Sequence, residues 1–553
     1  MSWWWARTGT AGGSPGQCAE ASSRAHNRAR EKRIPRKARR FMKEPYRQGT
    51  MVDPQERIYA AQIALLHGAS LSLLDDPGVI CHNEQAADLL DRAGCAVARD
   101  EADAGTWRIR FPVKVVEEAI ASAPDEVVLG ARDPEKRLVL EAAVPRVYFG
   151  TGSETNITLV AEMRELASGD GPESTGALPT YRQERGSVRN LCASAKLCNA
   201  LPNVDFFIRN VNIQDPEITP ESKDVNVFMA SLMYMTKHVQ AGLVDLDRLS
   251  DVLKLAEIVA GGKEALKDNP VVSFITCLIK SPLQMVDDTT EKLIEIARAG
   301  APVVISSSPQ GGSTAPITEE GMVALINAEI LAGVALAQIV NPGTPVLYGA
   351  VPVRARLDTL HDLYGAPEFI HYNVDCVQMA RHYAIPCYST AGIGDAKVPG
   401  MQASIEKVFS QLAVAASGAQ YIHYAFGLLD KTNVFCPLQA VLDDAHIAIV
   451  REILRQPCFN SEDAEAAVTE VRKVMASSTK LFARHIRKAM RRGLVSPPYP
   501  FESSEESDEV LVKAQDRLQE IMAGPDERMD DATVDRICKE VPGLLDRQAF
   551  ELA

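Results

Sequence analysis

Residues 301–352 decide the fold, and they read APVVISSSPQGGSTAPITEEGMVALINAEILAGVALAQIVNPGTPVLYGAVP. Two short runs rich in β-branched residues, APVVIS and TPVLYG, flank a longer segment with the apolar spacing of a helix. Both short runs are apolar along their whole length, which is typical of strands buried on both faces of a parallel sheet. The stretch therefore predicts one β-α-β unit with a buried crossover helix.

The same alternation of short apolar runs and longer helical segments continues along the chain. About eight runs fit strands when those of 301–352 are counted: VYFGTGS, VDFFIRNVNI, HVQAGLVD, VVSFITCLI, APVVISSSP, TPVLYGAVP, AIPCYSTAG and AQYIHYAFG. Eight such units predict an α/β protein with a (β/α)8 TIM barrel. The competing doubly wound fold usually carries a Gly-x-Gly-x-x-Gly turn after its first strand, and this sequence has none.

Four regions follow from the pattern. Residues 1–50 are predicted to be a disordered basic leader or a mis-called start before Met42 or Met51, with a basic interaction arm as the alternative. Residues 51–140 are predicted to form an N-terminal helical region and residues 141–450 the barrel. Residues 451–553 are predicted to form a C-terminal helical extension.

Charge and cysteine usage narrow the class of protein. The net charge is −14, and the leader holds about 12 Lys and Arg against 3 Asp and Glu, so the remainder carries about −23. An acidic body argues against nucleic acid as a partner. Because apolar stretches are interrupted by Gly, Pro or charge, we expect no membrane span. The 11 cysteines form no Cys-x-x-Cys pair and no zinc-type cluster, which predicts reduced thiols, no metal site and a cytoplasmic protein.

The segment STAGIGDAKVPGMQASIEK, residues 389–407, holds the first candidate site. It directly follows the predicted strand AIPCYST, and functional groups of a barrel collect on loops at the carboxyl ends of its strands. We therefore expect Asp395 and Lys397 to face a pocket. The alternative is that these two residues pair with each other and pin the loop.

Neighbouring strand ends add aromatic, guanidinium and imidazole groups. The candidates for substrate binding are Tyr348, Arg354, Arg356, Tyr364, Tyr421, His423, Tyr424 and Phe426. Aromatic faces bind a quaternary ammonium through cation–π contacts, and an arginine binds a carboxylate with two parallel hydrogen bonds. The set predicts a small zwitterionic ligand. Each aromatic residue can instead belong to the core, His423 can be structural, and either arginine can lie on a solvated helix start.

Two long runs, GGSTAPITEEGMVALINAEILAGVALAQIVNPGTPVLYGA (311–350) and GIGDAKVPGMQASIEKVFSQLAVAASGAQYIH (392–423), resemble the trimethylamine methyltransferase family. LLDDPGV and FPVKVVEEAIASAP resemble the start of that family, and the likeness spans roughly Pro54 to Leu454. The resemblance implies a (β/α)8 barrel that moves a methyl group from a methylated amine to a corrinoid protein. With standard residues alone, the chain resembles the branch without pyrrolysine, whose type is glycine betaine:corrinoid methyltransferase.

The resemblance also assigns residues and partners. The DAKVP match carries over Asp395 and Lys397 as catalytic candidates and Gln402 as a substrate-binding candidate. The glycines assigned to the approach of the corrinoid are Gly311, Gly312, Gly392 and Gly394. The loop from Arg354 to Tyr364 departs from the family pattern, which leaves the amine open.

A corrinoid partner protein is expected because the chain has no Asp-x-His-x-x-Gly segment of its own, and no tightly bound cofactor is expected. The family also implies a homo-oligomer. Two other functions stay open from the residues: a Schiff-base lyase that uses Lys397, and a betaine-binding protein without turnover.

Overall fold

A computed structural model describes residues 46–100, 105–165, 177–457, 460–482, 486, 489–491, 495–496, 498–502 and 510–552. Residues 1–45 of the predicted leader therefore lie outside the described residues. The centre of the protein is a nine-stranded sheet, eight strands of which are parallel neighbours. These eight are β1 (Arg146–Phe149), β2 (Phe206–Ile208), β3 (His238–Ala241), β4 (Val272–Thr276), β5 (Val303–Ser307), β6 (Val346–Ala350), β7 (Cys387–Thr390) and β8 (Tyr421–His423).

A helix follows each of these strands before the next begins. In chain order the helices are α1 (Val188–Ala200), α2 (Pro220–Tyr234), α3 (Leu249–Ala260), α4 (Asp287–Ala299), α5 (Glu319–Val340), α6 (Pro367–His382), α7 (Met401–Ala416) and α8 (Pro437–Leu454). A short helix, Lys263–Asp268, follows α3. The eight predicted strands are all present, and a mixed α/β fold built on a parallel sheet is confirmed.

The sheet curls, with its strands in the order β1-β8-β7-β6-β5-β4-β3-β2. The ninth strand, Thr50–Met51, pairs antiparallel with β1. At the carboxyl end of β1, Gly150 forms a parallel bridge to Phe206 of β2, and the Asp205 N–H donates to the Phe149 carbonyl at 2.7 Å. The first and last strands of the row are therefore also in contact.

The inside of the curled sheet has its own apolar core. A hairpin of strands Glu126–Leu129 and Leu138–Glu141 packs into this core together with Tyr148, Phe206 and Leu347. The hairpin enters from the amino ends of the strands, because the Gly130 N–H donates to the carbonyl of Pro270, just before β4. Side chains at the carboxyl ends of the strands are left to form the other opening, called the mouth below.

Loops that contain short strands, called excursions here, follow the carboxyl ends of several strands of the sheet. The longest is an antiparallel ribbon after β1. The strands of these excursions are Ile157–Glu165, Ala177–Arg185, Ile279–Lys280, Gln284–Met285, Gln310–Gly311, Val353–Ala355, Asp362–Leu363, Leu428–Leu429 and Val434–Phe435. They build small sheets around the mouth, including one in which Val353–Ala355 pairs with both Gln310–Gly311 and Asp362–Leu363.

The predicted N-terminal helical region is mixed rather than helical. It carries the helices Ala60–Asp75, Glu84–Arg92 and Val113–Ser122, and also the strands Val79–Cys81, Ala96–Arg99 and Trp107–Arg110. These strands are three or four residues long, which is too short for a period of two to stand out from helical spacing. The helical prediction is therefore corrected to an α/β region.

The C-terminal extension is helical in its described residues. Its helices are Ser461–Ala476, Val510–Ala523 and Asp531–Glu540, and a 3-10 turn, Arg547–Phe550, follows them. Helix Val510–Ala523 packs against α1 and α8, so the end of the chain is anchored to the sheet domain.

Helix α5 is the one described helix that is long and apolar enough to cross a membrane, and 89% of its apolar window is buried inside the fold. It packs between the sheet and the helix Ala60–Asp75. A core helix covered on both sides needs apolar residues around its whole circumference, which accounts for its composition.

A lysine lies buried beside the amino end of β3. The Lys237 ammonium donates to the carbonyls of Cys198 at 3.0 Å and Leu201 at 2.9 Å, at the end of α1. Burial lowers the pKa of Lys237 to about 7, and the charge of Arg47 adds to this effect. The unfolded chain has the ordinary lysine pKa of 10.5.

Lys237→Met should therefore change the pH dependence of stability. Between pH 7 and 10 the unfolded state binds more protons at Lys237 than the folded state, so the folded protein gains stability as pH rises. We expect the unfolding free energy of native protein minus that of Lys237→Met, measured in urea titrations, to grow from pH 7 to 10. The exposed Lys267→Met is the control and should give a constant difference. The same constant difference for Lys237→Met would contradict the prediction.

Candidate active site

The mouth is held together by a fully buried ion pair between α7 and α8. The Lys407 Nζ lies 3.1 Å from the Asp443 Oδ2, and both side chains have no exposed surface. Lys407 also donates to the carbonyls of Gly392 and Leu428. The Asp443 carboxylate accepts a hydrogen bond from the Gly427 N–H at 2.7 Å. One ion pair thus fixes the loops that follow β7 and β8.

The Asp395 carboxylate binds backbone groups of a neighbouring loop rather than a lysine side chain. It accepts hydrogen bonds from the N–H groups of Tyr364 at 3.2 Å and Gly365 at 2.8 Å, in the loop after β6. Burial raises the pKa of Asp395, and these N–H donors oppose that shift. Lys397 is exposed, and in the described part of the chain no carboxylate lies within salt-bridge distance of it. The two charges of the loop therefore do not pair.

Side chains of α7 hold the same loop from the other side. The Glu406 carboxylate accepts hydrogen bonds from the N–H groups of Asp395 at 2.8 Å and Ala396 at 3.2 Å. Gln402 is exposed and donates to Glu406 at 2.8 Å. Gln402, predicted to bind substrate, lies in this hydrogen-bond network.

The glycines assigned to the corrinoid are packed against the chain itself. A Cβ at Gly392, whose φ is 82°, would lie 2.7 Å from the Ala425 Cα, and one at Gly394 would clash with the Glu406 carboxylate. A Cβ at Gly311 would lie 2.9 Å from the Tyr372 hydroxyl. Gly312 is exposed with a φ of 90°, beside Leu357. Close packing and turn geometry are sufficient reasons for these glycines.

Aromatic rings fill the inside of the sheet and reach the mouth. The rings of Phe206 and Tyr421 stack at 3.6 Å, Tyr388 lies 5.7 Å from Tyr421, and His423 lies 4.2 Å from Tyr388 and 3.8 Å from Tyr424. These five residues are called the aromatic column. Tyr421, His423 and Tyr424 were predicted as candidates, whereas Phe206 and Tyr388 were not.

His423 is neutral and is hydrogen-bonded to β7. The Thr390 hydroxyl lies 3.2 Å from the Ala350 carbonyl and 2.7 Å from the His423 Nε2. Because a hydroxyl can both donate and accept, Nε2 takes part in this hydrogen bond in either tautomer of the ring. Nδ1 is buried without a hydrogen-bond partner among the described residues. Burial lowers the pKa of His423 well below its usual value, so the ring adds no positive charge.

Tyr424 ends the column in an unusual backbone conformation. Its φ is 67°, in the left-handed region that tyrosine seldom adopts. A Cβ at Gly152 would lie 2.5 Å from the Tyr424 ring, so this glycine makes room for the ring. Strained non-glycine residues cost about 1–3 kcal/mol and cluster at functional sites. Tyr424 is therefore held at the mouth at a cost in stability.

Cys277 and Ser306 contribute polar groups at the mouth. The Cys277 Sγ lies 2.7 Å from the Ser306 Oγ. Cys277 is exposed, yet desolvation raises its pKa, and this combination is expected of a side chain that lines a cavity. Its position two residues after Ile275, whose side chain packs on the inner core, was the signal in the sequence. Cys277 was predicted only as one of the reduced thiols, and its position at the mouth was not predicted.

Asp362 brings a carboxylate close to the column. Its Oδ1 accepts a hydrogen bond from the Gln310 side chain at 2.6 Å. Burial is the main cause that raises the pKa of Tyr424, and Cys277 and Asp362 add to it. Burial and the proximity of Tyr424 raise the pKa of Tyr364, and Asp362 again contributes. Asp362 was not predicted, since charged residues fill this loop and no sequence signal separates it from Asp358.

The remaining predicted residues lie elsewhere. Tyr348 donates to the Asn327 side chain of α5 at 2.9 Å, on the outer face of the sheet. Phe426 is fully buried in the main core. Arg354 is half-buried 3.7 Å from Glu368, and Arg356 is exposed and paired with Asp358 at 3.1 Å. A carboxylate of α6 and one of the loop thus engage the two arginines.

Among the described residues, no group of three or more His, Cys, Asp or Glu side chains could hold a metal ion. The nine described cysteines are free thiols. The mouth is therefore built from aromatic rings, a neutral imidazole, a thiol and carboxylates.

Comparison with known proteins decides the family. The family model described as trimethylamine methyltransferase (MTTB) matches residues 22–533. The chain belongs to the trimethylamine methyltransferase family. The predicted family and the predicted class of enzyme, a methyltransferase acting on methylated amines, are confirmed.

Three relatives illustrate the range of this family. Trimethylamine methyltransferase MttB of Desulfitobacterium hafniense (strain DSM 10664 / DCB-2) is 28% identical over 437 residues, which cover 79% of this chain and 81% of the relative. Glycine betaine methyltransferase of Desulfitobacterium hafniense (strain Y51) is 26% identical over 84% of this chain and 91% of the relative. Trimethylamine methyltransferase MttB of Methanosarcina barkeri (strain Fusaro / DSM 804) is 27% identical over 77% of this chain and 81% of the relative.

Lys407→Met should destabilise the protein by about 3–5 kcal/mol, because it leaves the Asp443 charge buried and unpaired. The double variant Lys407→Met, Asp443→Leu removes both charges and should lose less than the sum of the two single variants. Urea unfolding followed by circular dichroism measures both. A single variant within about 1 kcal/mol of native protein would show that the pair is not needed.

Proposed function

We propose that this chain transfers a methyl group from a quaternary amine to the Co(I) of a corrinoid carried by a second protein, and that glycine betaine or a related betaine is the methyl donor. The observation that carries the proposal is the aromatic column, which ends at the mouth in His423 and Tyr424 beside the Asp362 carboxylate. A glycine betaine methyltransferase among the relatives supports the choice of donor.

The mouth suits a cation that carries no proton. Ring faces attract the partial positive charge of N-methyl groups, and the neutral imidazole of His423 does not repel it. Asp362 supplies the opposite charge close to Tyr424. The two arginines of the loop are engaged by Glu368 of α6 and by Asp358, so recognition of the cationic end is the part of the betaine proposal that the geometry supports best.

The reaction requires positioning more than acid–base catalysis. The electron pair of Co(I) forms the new Co–C bond while the C–N bond breaks, and the bonding pair stays on nitrogen. A quaternary amine therefore leaves as a neutral tertiary amine, and no proton has to move. The rigid mouth contributes by aligning the methyl group and excluding water.

A complete (β/α)8 barrel is the architecture that we propose for residues 141–450. The parallel bridge between Gly150 and Phe206, next to the hydrogen bond from Asp205 to Phe149, supports closure of the row between β1 and β2. Each strand is followed by a helix, as the barrel requires. A cytoplasmic location agrees with free thiols in the described residues.

Asp395 and Lys397 have different roles in this proposal. Asp395 positions the mouth by joining the loops after β6 and β7. Lys397 is exposed at the rim, where it is placed to meet a partner protein rather than to form a Schiff base in a cavity.

We propose that the partner docks on an apolar rim formed by Ile317, Leu357, Leu360, Val398 and Met401. All five are exposed, with Leu357 at 64% and Met401 at 81%, and they belong to the loops after β5, β6 and β7 or to the start of α7. Leu357 and Ile317 converge above Gly312. Exposed apolar groups of this kind are typical of protein interfaces, and a carrier of the methyl acceptor has to cover the mouth.

Formation of methylcobalamin from free cob(I)alamin tests the reaction. We expect the absorbance of cob(I)alamin to change with glycine betaine, carnitine, proline betaine or choline, and not with trimethylamine. Asp362→Asn and Tyr424→Leu should each raise the KM for the amine about tenfold, because each removes an interaction of about 1–2 kcal/mol with the cation. Asp358→Asn is the matched control, since this carboxylate lies on the same loop but is exposed and paired with Arg356. Binding of a betaine without any methylcobalamin would favour a binding protein instead.

A charge in the rim should separate docking from chemistry. Leu357→Asp should lower kcat/KM for a cobalamin-loaded corrinoid protein about tenfold or more and leave methylation of free cob(I)alamin unchanged. Ile453→Asp is the control, because Ile453 is exposed near the end of α8, away from the mouth. Equal rates for native protein and Leu357→Asp with the corrinoid protein would contradict docking on the rim.

A further inference from the structure

Helix Ser461–Ala476 packs little against the other described residues. Of its 16 residues, 14 are exposed and Val474 alone is buried. It begins at a regular cap in which the Asn460 side chain accepts from the Asp463 N–H at 2.8 Å. An isolated helix of this length is marginal in water, because most helical stability comes from packing of an apolar face. The exposed helix therefore lacks the packing that would stabilise it.

The helix has such an apolar face, and it is open to solvent. Ala464, Val468, Val471 and Met475 follow one another at spacings of four, three and four residues, so they form one stripe along the helix. Val468, Val471 and Met475 are 49%, 48% and 57% exposed. The spacing reads the same in both directions along the helix. Such a stripe is self-complementary when two identical helices pack antiparallel.

The charges of the helix point to the same arrangement. The first half carries Glu462, Asp463 and Glu465, a net charge of −3, and the second half carries Arg472 and Lys473 against Glu470, a net charge of +1. In an antiparallel pair of identical helices the acidic half of each faces the basic half of the other. In a parallel pair, like charges would face each other. The apolar stripe and the charges of the helix thus both favour the antiparallel orientation.

We infer that a second copy of this chain covers the helix, in an antiparallel pair about a two-fold axis between Thr469 and Glu470. Val468 of each copy then lies opposite Val471 of the other, and Ala464 opposite Met475. Glu465 of each copy lies near Arg472 of the other. A two-fold interface uses the same patch on both subunits, which a palindromic stripe satisfies.

Sedimentation velocity of the full chain tests the interface without any substrate. Native protein at about 20 µM should sediment as an even multiple of the 60.1 kDa chain. The double variant Val468→Glu, Val471→Glu should have half that mass or less. Its circular dichroism should show no loss of helix beyond the 16 residues of Ser461–Ala476. Val113→Glu is the matched control, because it places the same charge on a similarly exposed valine and should leave the mass unchanged. A monomeric native chain, or a double variant with native mass, would overturn the inference.

Charge exchange tests the orientation. Glu465→Lys alone and Arg472→Glu alone should each raise the dissociation constant about threefold to tenfold, since each puts like charges together. The two changes combined restore opposite charges and should return the dissociation constant to near the native value. A combined variant weaker than both single variants would overturn the antiparallel pairing. Because these experiments measure only mass, failure of the methyl-transfer proposal would not affect their outcome.

Discussion

The buried pair of Lys407 and Asp443 is the interaction on which the mouth depends. Two opposite charges without exposed surface tie helices α7 and α8 to the loops that carry Gly392 and Gly427. Replacing such a pair with apolar residues of similar size is often tolerated, whereas removing one partner is not. Its value here is geometric, because the ammonium and the carboxylate each fix backbone groups that an apolar pair could not bind.

With the loops fixed, the chemistry of the mouth depends on the aromatic rings and the imidazole that reach it. The column from Phe206 to Tyr424 offers ring faces, and His423 stays neutral because burial outweighs any gain from protonation. Under the proposed function these rings would hold a quaternary ammonium, which carries no proton, while Asp362 would supply the opposite charge.

Much of this arrangement could be predicted from the sequence, and the rest depended on packing. The eight strands follow from uniformly apolar runs, and the family follows from two long segments in register. The partner of Asp395 did not follow, because Lys397 is its neighbour in sequence while the Tyr364 and Gly365 N–H groups are its neighbours in space. The lysine of the segment 389–407 that forms a buried ion pair is its last residue, Lys407, for which no role was predicted. Tyr348 and Tyr388 both lie in uniformly apolar strands, so the sequence does not show which of them points to the inside of the sheet. In the structure Tyr388 packs in the inner core, whereas Tyr348 faces α5.

The hairpin Val353–Leu363 has two ends with different neighbours. Asp362 lies beside the aromatic column, while Leu357 and Leu360 stand at the exposed tip a few residues away. The tip is closed by two backbone hydrogen bonds, from the Arg356 N–H to the His361 carbonyl and from the Leu360 N–H to the Arg356 carbonyl, both at 2.7 Å, so the apolar tip and Asp362 are joined by one hydrogen-bonded turn. Under the proposed function, a carrier protein that displaced the tip would also shift the Asp362 carboxylate. By thermodynamic linkage, the amine and the carrier protein would then change each other's affinity by the same factor, so the hairpin would couple donor and acceptor.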